Sequence, residues 1–381
     1  MIQDGVSAAR LKEMAPFKGD QATEVLSALL QARNWKSDLA RLIPESEGAK
    51  LVQAWSEVTT VSAFQERVVK PFLEALMRHT TQGVSWKFQG EALGKGMLFL
   101  SNHRDIVLDP SLVNVALMDS GREATEIGIG SNLLGSPWVR QLVKLNRCFV
   151  VERSGSARER YNHSLETAAY IQKAIRSGTS VWLAHREGRS KDGHDATAPA
   201  LIRTLSSNGD ASTWNALNVV PVSISYEWDP CDALKVNELL HLETHGDYQK
   251  SSGEDELSMW TGLVGQKGHV HLEFGCPFHW PRDAPDVKPE RQLSQAFDRE
   301  LLQGMKVWPN QILAAEALGV AVPFYAEGVN PTAEDRKQWL QRKTSIEEAL
   351  AEKGWSREHA ALRWCQTLMA PLAHRASMLN D

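Results

Sequence analysis

The sequence predicts an α/β fold: a twisted, mostly parallel sheet flanked by helices, with helical additions at its N-terminal and C-terminal ends. Three observations predict it. From about residue 96, short apolar runs alternate with amphipathic stretches, the pattern of βαβ units. Before residue 90 and after residue 325, apolar residues recur every three or four positions, the helical period. With 42% hydrophobic and 23% charged residues, the 381-residue chain has enough apolar material for a sizeable core. These shifts divide it into an N-terminal helical region (1–90), an α/β domain (91–325, with its motifs in 95–225) and a C-terminal helical region (326–381).

Residues 21–43 and 48–79 carry helical spacing, as in Phe64, Val68, Phe72 and Leu76. Pro71 is expected to bend or split the second stretch. This region reads either as a packed helical subdomain or as an amphipathic surface that lies on membrane. Strands are expected at 96–100, 124–129, 147–151, 180–184 and 219–225. Helices are expected at 110–118 and at 158–177, the latter ended by Gly178. Residues 226–265 are polar, with Gly and Ser clusters, and read as a long excursion holding Tyr248, Lys250, Glu254 and Asp255. A strand at 267–274 and a helix at 293–318 follow, and the last fifty residues read as helices.

The net charge is −5, so no global basic field points to nucleic acid. Residues 122–204 nevertheless carry 13 Lys/Arg against 8 Asp/Glu, a local excess of cations that suits an anionic ligand. Cys148, Cys231, Cys276 and Cys365 are scattered, with neither metal spacing nor a disulfide framework, which fits a reduced, cytoplasmic setting. The first residues lack a signal-peptide pattern, and no apolar run approaches the ~20 residues that cross a bilayer. Lipid, if bound, would be met from one side, at the inner face of a membrane.

In a parallel sheet, ligands gather beyond the carboxyl ends of strands. The first informative cluster sits at such an end: Ser101-Asn102-His103-Arg104-Asp105, then Asp109-Pro110 at the start of a helix. Asp109 suits a helix N-cap and Pro110 the first helical position. A His among Asn, Arg and Asp at a strand end suits proton transfer better than core packing. With a carboxylate fixing its tautomer, its imidazole can accept a proton from an attacking hydroxyl or amine. The second cluster, Val151-Glu152-Arg153-Ser154, offers the planar fork of Arg153 to a phosphate. The third, His185-Arg186-Glu187-Gly188-Arg189-Ser190-Lys191, puts cations around a glycine that lets backbone approach a ligand. The fourth, Val220-Pro221-Val222, reads as a strand with its proline at an edge or bulge.

Taken in order, these four clusters resemble the motifs of the glycerolipid acyltransferase superfamily, which includes lysophosphatidate and glycerol-3-phosphate acyltransferases. The resemblance covers about 95–225 and is that of a divergent branch. Between His103 and Asp109 there is one more residue than in the family pattern, and the third motif lacks the family's Thr and is one residue short. The resemblance implies His103 as general base and Asp109 as its partner, with Asp105 as the rival. It also implies Asn102, Arg104, Arg153, Glu187, Gly188, Arg189 and Ser190 as substrate-binding positions. An acyl-CoA or acyl-carrier protein would be the donor, used as a substrate, with no cofactor and no metal. The acceptor would be lysophosphatidate or glycerol 3-phosphate in phospholipid synthesis. Alternatives are N- or O-acylation of an amino acid or other small polar acceptor, and a non-catalytic lipid-binding role. No Gly-x-Ser-x-Gly elbow supplies a serine nucleophile. The N-terminal helices and those of the thirteen tryptophans that reach the surface are candidates for holding the protein on a membrane, with most tryptophans expected to be packed.

Overall fold

A computed structural model of the chain describes residues 6–90, 94–281 and 288–380. Seven strands form one sheet: β1 (Gly83–Phe88), β2 (Leu98–Ser101), β3 (Glu126–Gly130), β4 (Cys148–Val151), β5 (Val181–Ala184), β6 (Val219–Tyr226) and β7 (His269–Phe274). Their order is β1-β7-β6-β2-β5-β3-β4. Strands β2 to β6 run parallel, β7 runs antiparallel to β6, and β1 lies parallel to β7. The sheet is mixed and mostly parallel, and helices cover both faces. Period-two alternation divides the core: Phe99, Val220 and Val222 belong to one apolar cluster, Leu98, Leu100 and Val219 to the other.

Four elements differ from their sequence expectation. Residues 83–88, inside the region read as helical, form β1 at the sheet edge. The strand is short and alternately exposed, so its apolar signal is weak. Around Pro71 the second helical stretch is split, as expected. The chain passes through a π-helical turn at Gln65–Val69, and Pro71 takes the second position of the helix Lys70–Thr80. That turn absorbs the hydrogen bond that proline cannot donate. The excursion 226–265 contains the helices Asp232–His245 and Glu254–Val264, and the expected helix 293–318 is two, Pro289–Gly304 and Pro309–Leu318. Pro221 lies inside the sheet rather than at an edge strand. Its carbonyl accepts from Gly275 N just beyond the last β6–β7 pair, Val222–Phe274, where the ladder loses only one bond to the missing N–H.

The N-terminal helices form a packed subdomain. Leu26, Leu29, Trp35, Trp55 and Phe64 bury one another in a cluster of their own. Eight of the thirteen tryptophans are buried, and the other five, Trp86, Trp138, Trp260, Trp280 and Trp355, are partly exposed. The boundary expected at 325–326 cuts a shared core: Trp228, Val236 and Leu313 pack with Trp339, Leu350 and Trp364 from the C-terminal helices.

Candidate active site

β2 sits between β6 and β5, where the strand order reverses, and the chain leaves its carboxyl end at Asn102. The following helix begins at Leu108, one residue before the expected N-cap, so Asp109 lies in its first turn. The two aspartates thereby divide the work. Asp105 Oδ1 accepts from the backbone N–H groups of Val107 and Leu108, 2.8 Å each, and ties down the helix entry. Asp109 turns back. Its Oδ2 accepts from His103 Nδ1 at 2.9 Å and from the backbone N–H groups of Arg104 and Asp105 at 2.6 and 2.9 Å. Its Oδ1 accepts from the Tyr226 hydroxyl at 2.9 Å. Asp109 is fully buried, whereas 15% of the His103 side chain reaches solvent. The imidazole lies edge-on to Trp182, 5.8 Å between ring centres.

The electrostatics follow from burial. Burial pushes the Asp105 carboxyl up, and the nearby charge of Asp109 adds to it. Burial likewise pushes the Tyr226 phenol well above its ordinary value, helped by Asp109 and Asp105, so Tyr226 keeps its proton and donates it. A carboxylate only accepts hydrogen bonds, so its contact with Nδ1 favours the tautomer with the N–H on Nδ1 and Nε2 as the ring's acceptor.

The third motif loop closes onto the first. Ser190 N–H donates to the His103 carbonyl at 2.8 Å, and His185 N–H to that of Ser101 at 2.8 Å. Gly188 adopts φ +73°, the left-handed turn that brings Arg189 round. Arg189 is half-buried, and its Nη1 is sealed without a partner. In the second motif, Glu152 gathers Ser131 Oγ, Ser154 Oγ and the N–H groups of Arg153 and Ser154. The Ser131 bond, then that of Ser154, hold Glu152 down to about 2. Arg153 reaches Glu187 of the third motif at 3.4 Å in a solvent-exposed pair. Clusters one, two and three therefore gather at the carboxyl ends of the parallel strands, the third in contact with both others.

Three residues expected at the substrate are engaged elsewhere. Asn102 is buried and exchanges two hydrogen bonds with the Ile224 backbone, extending the β2–β6 ladder. Arg104 turns its guanidinium inward to buried Asp195. Burial alone would raise Asp195, but Arg104 and His185 outweigh it and hold its carboxyl below the ordinary value. The Ser190 hydroxyl faces the His194 carbonyl at 3.3 Å, leaving its N–H as the loop clamp. Sequence reasoning missed Tyr226. As the last residue of β6 it stands at a strand's carboxyl end, and the rule that found His103 points to it too. It also missed Lys235, whose ammonium holds the Arg104 carbonyl at 2.9 Å and pairs with Asp229.

Residues 66–224 match the family model described as Acyltransferase. By this match the chain carries an acyltransferase domain. The matched segment of this acyltransferase runs from the π-helical turn to Ile224 in β6 and includes all four motifs, but stops short of Tyr226. No curated protein matches the chain. Among solved structures, the acyltransferase is similar to the crystal structure of the 1-acyl-sn-glycerophosphate (LPA) acyltransferase PlsC from Thermotoga maritima. The identity is 13% and the TM-score 0.38, over 74% of this chain and 95% of that one. Among the described residues no helix is long and apolar enough to cross a membrane, and no group of His, Cys, Asp and Glu has metal-binding geometry.

Proposed function

We propose that this acyltransferase moves a fatty acyl group from acyl-CoA or acyl-carrier protein to a lysophosphatidate- or glycerol-3-phosphate-like acceptor. His103 is the general base and Asp109 orients it. The observation that carries this reading is the 2.9 Å bond from His103 Nδ1 to a carboxylate that is fully buried and accepts three further hydrogen bonds. Four donors fix that carboxylate, which fixes the ring and leaves Nε2 to take the acceptor's proton. The acceptor oxygen then attacks the thioester carbonyl, the tetrahedral centre collapses, and the thiolate leaves, taking the electron pair of the C–S bond. Arg189, whose Nη1 lacks a protein partner, is the natural holder of the acceptor's phosphate. Arg153 serves less well, because Glu187 already offsets its charge. Membrane attachment rests chiefly on the nature of the acyl substrates, because most of the tryptophans are packed inside.

The test is transfer from labelled palmitoyl-CoA by the purified chain to lysophosphatidate, glycerol 3-phosphate or a free amino acid. Lysophosphatidate or glycerol 3-phosphate is expected to accept, and His103→Ala to slow transfer by about 10²–10⁴-fold. Acylation of the amino acid alone would move the acceptor class. Undiminished transfer by His103→Ala would end the catalytic reading.

A further inference from the structure

Behind the motif loops lies a cavity of ≈ 80 Å³, between the carboxyl end of β6, the turn at Met305–Trp308 and the C-terminal helix Arg357–Asn380. Arg104, Ser190 and Tyr226 form its wall toward the site, and His103 does not line it. Much of its remaining surface is apolar, from Leu302, Val307, Trp364 and Leu368.

Its charges do not balance. The acids have partners: Asp229 has Lys235, Asp232 has Arg342, and Glu227 is hydrogen-bonded by His269. Three cations have partners as well: Arg104 has Asp195, Lys191 has Glu238, and Lys235 has Asp229. Half-buried Arg375 and, at the solvent-exposed rim, Lys306 have no carboxylate within 4.0 Å among the described residues. Lys306 lies 4.9 Å over the Trp308 ring and Arg375 4.4 Å over the Tyr325 ring. Arg375 donates one bond, from Nη1 to the Met305 carbonyl at 3.3 Å, and its Nε is sealed without a partner. Burial holds this guanidinium below its ordinary pKa, the sign of a desolvated cation with too little to offset it. In the same wall Trp308 Nε1 is buried and unbonded, another unused donor.

We propose that this cavity is a second binding site, for a small organic anion: a carboxylate or phosphate head on a short apolar stem. The head is held by Arg375 and Lys306, and the stem lies against Val307, Trp364 and Leu368. One water-sized probe occupies about 10–15 Å³, so the volume suits a ligand of roughly half a dozen heavy atoms. The site goes beyond the acyl-transfer reading, because no step of its argument uses His103.

The experiment is calorimetric titration of the full chain with pentanoate, inorganic phosphate and pentan-1-ol. Saturable pentanoate binding is expected, at least about tenfold tighter than pentan-1-ol, because the charge supplies the grip. Tighter phosphate binding that Lys306→Ala and Arg375→Met weaken would assign the head to phosphate and support the site, whereas phosphate binding that neither variant weakens would belong to Arg189 and count against it. Lys306→Ala and Arg375→Met should each weaken anion binding by about tenfold, while Arg375→Lys, which keeps the charge and the fold, stays close to wild type. His103→Ala should bind as wild type does, which separates this site from the catalytic reading. Failure of both anions to bind saturably overturns the proposal, as does undiminished affinity in Lys306→Ala combined with Arg375→Met.

Discussion

At the scale of single residues, Asp105 and Asp109 show how four positions of offset separate two roles. Both are buried carboxylates on one loop, but Asp105 spends its bonds on backbone N–H groups and Asp109 spends one on an imidazole. Asp109→Asn replaces an acceptor-only group by one that can present an N–H to Nδ1, which favours the wrong tautomer. The expected outcome is a fall in kcat of about 100-fold or more, with a melting temperature within a few degrees of wild type. Asp105→Ala removes a helix-entry tie worth about 1 kcal/mol and should lower the melting temperature with a smaller loss of kcat. Steady-state kinetics beside thermal melts of both variants decide it; the reverse ranking would make Asp105 the orienting group. The sequence placed both aspartates within reach of His103 and preferred Asp109 but kept Asp105 as its rival, because the choice depends on a helix that starts at Leu108. A one-residue shift of that kind lies below what capping preferences resolve. Asn102 was misjudged for a related reason: an amide that extends a strand ladder and one that binds a substrate look alike without the partner strand.

At the scale of elements, the stretch 226–265 was least legible. Its two helices bury polar residues such as Asp232, Lys235 and Glu238 and leave Leu242 and Leu257 exposed, so their buried positions answer to surfaces from distant parts of the chain rather than to a clean apolar period. The helix Glu254–Val264 packs Gly262 against the His103 loop so closely that a Cβ there would stand 2.1 Å from Asp105 Oδ2. In an open helix, Gly→Ala gains about 1 kcal/mol. Here overpacking at about 1–3 kcal/mol should prevail, because Asp105 is buried and tied to backbone. Gly262→Ala is therefore expected to be less stable and to lose about tenfold or more in activity; a more stable, fully active variant would show that the loop yields. Lys267, fully buried just beyond this helix, donates to the Leu263 and Gly265 carbonyls. Burial pulls it down to about 8, against the attraction of Asp105. Because its folded pKa lies below its unfolded value, the unfolded chain binds more protons between about pH 8 and 10.5. Stability from this group thus rises with pH through that window. Wild type should gain on Lys267→Met by up to about 3 kcal/mol between pH 7.5 and 10.5, read by urea unfolding at both ends. Parallel profiles for the two proteins would mean that Lys267 does not titrate there.

At the scale of the whole molecule, the motifs lie in one continuous segment but their support does not. β6 pairs with β7 through residues 222–226, and Asp109 takes a bond from Tyr226, beyond the matched 66–224. The third motif loop depends on two later helices. Thr197 N–H and hydroxyl both bond Asp298, and Gly193 lies so near the C-terminal helix that a Cβ would meet the Thr367 carbonyl at 2.3 Å. Leu293, Phe297 and Leu301 complete the core on one face of the sheet, at about 1.5–3 kcal/mol each for burial. Their loss alone approaches the whole stability of a typical domain, about 5–15 kcal/mol. A fragment limited to residues 66–224 is therefore expected to lack a cooperative transition when melted or titrated with urea and followed by circular dichroism, whereas the full chain unfolds cooperatively. A sigmoidal transition in the fragment would show that the sheet's central strands and their helices hold the motif loops without the flanking regions, and that the later helices were added to a domain already complete.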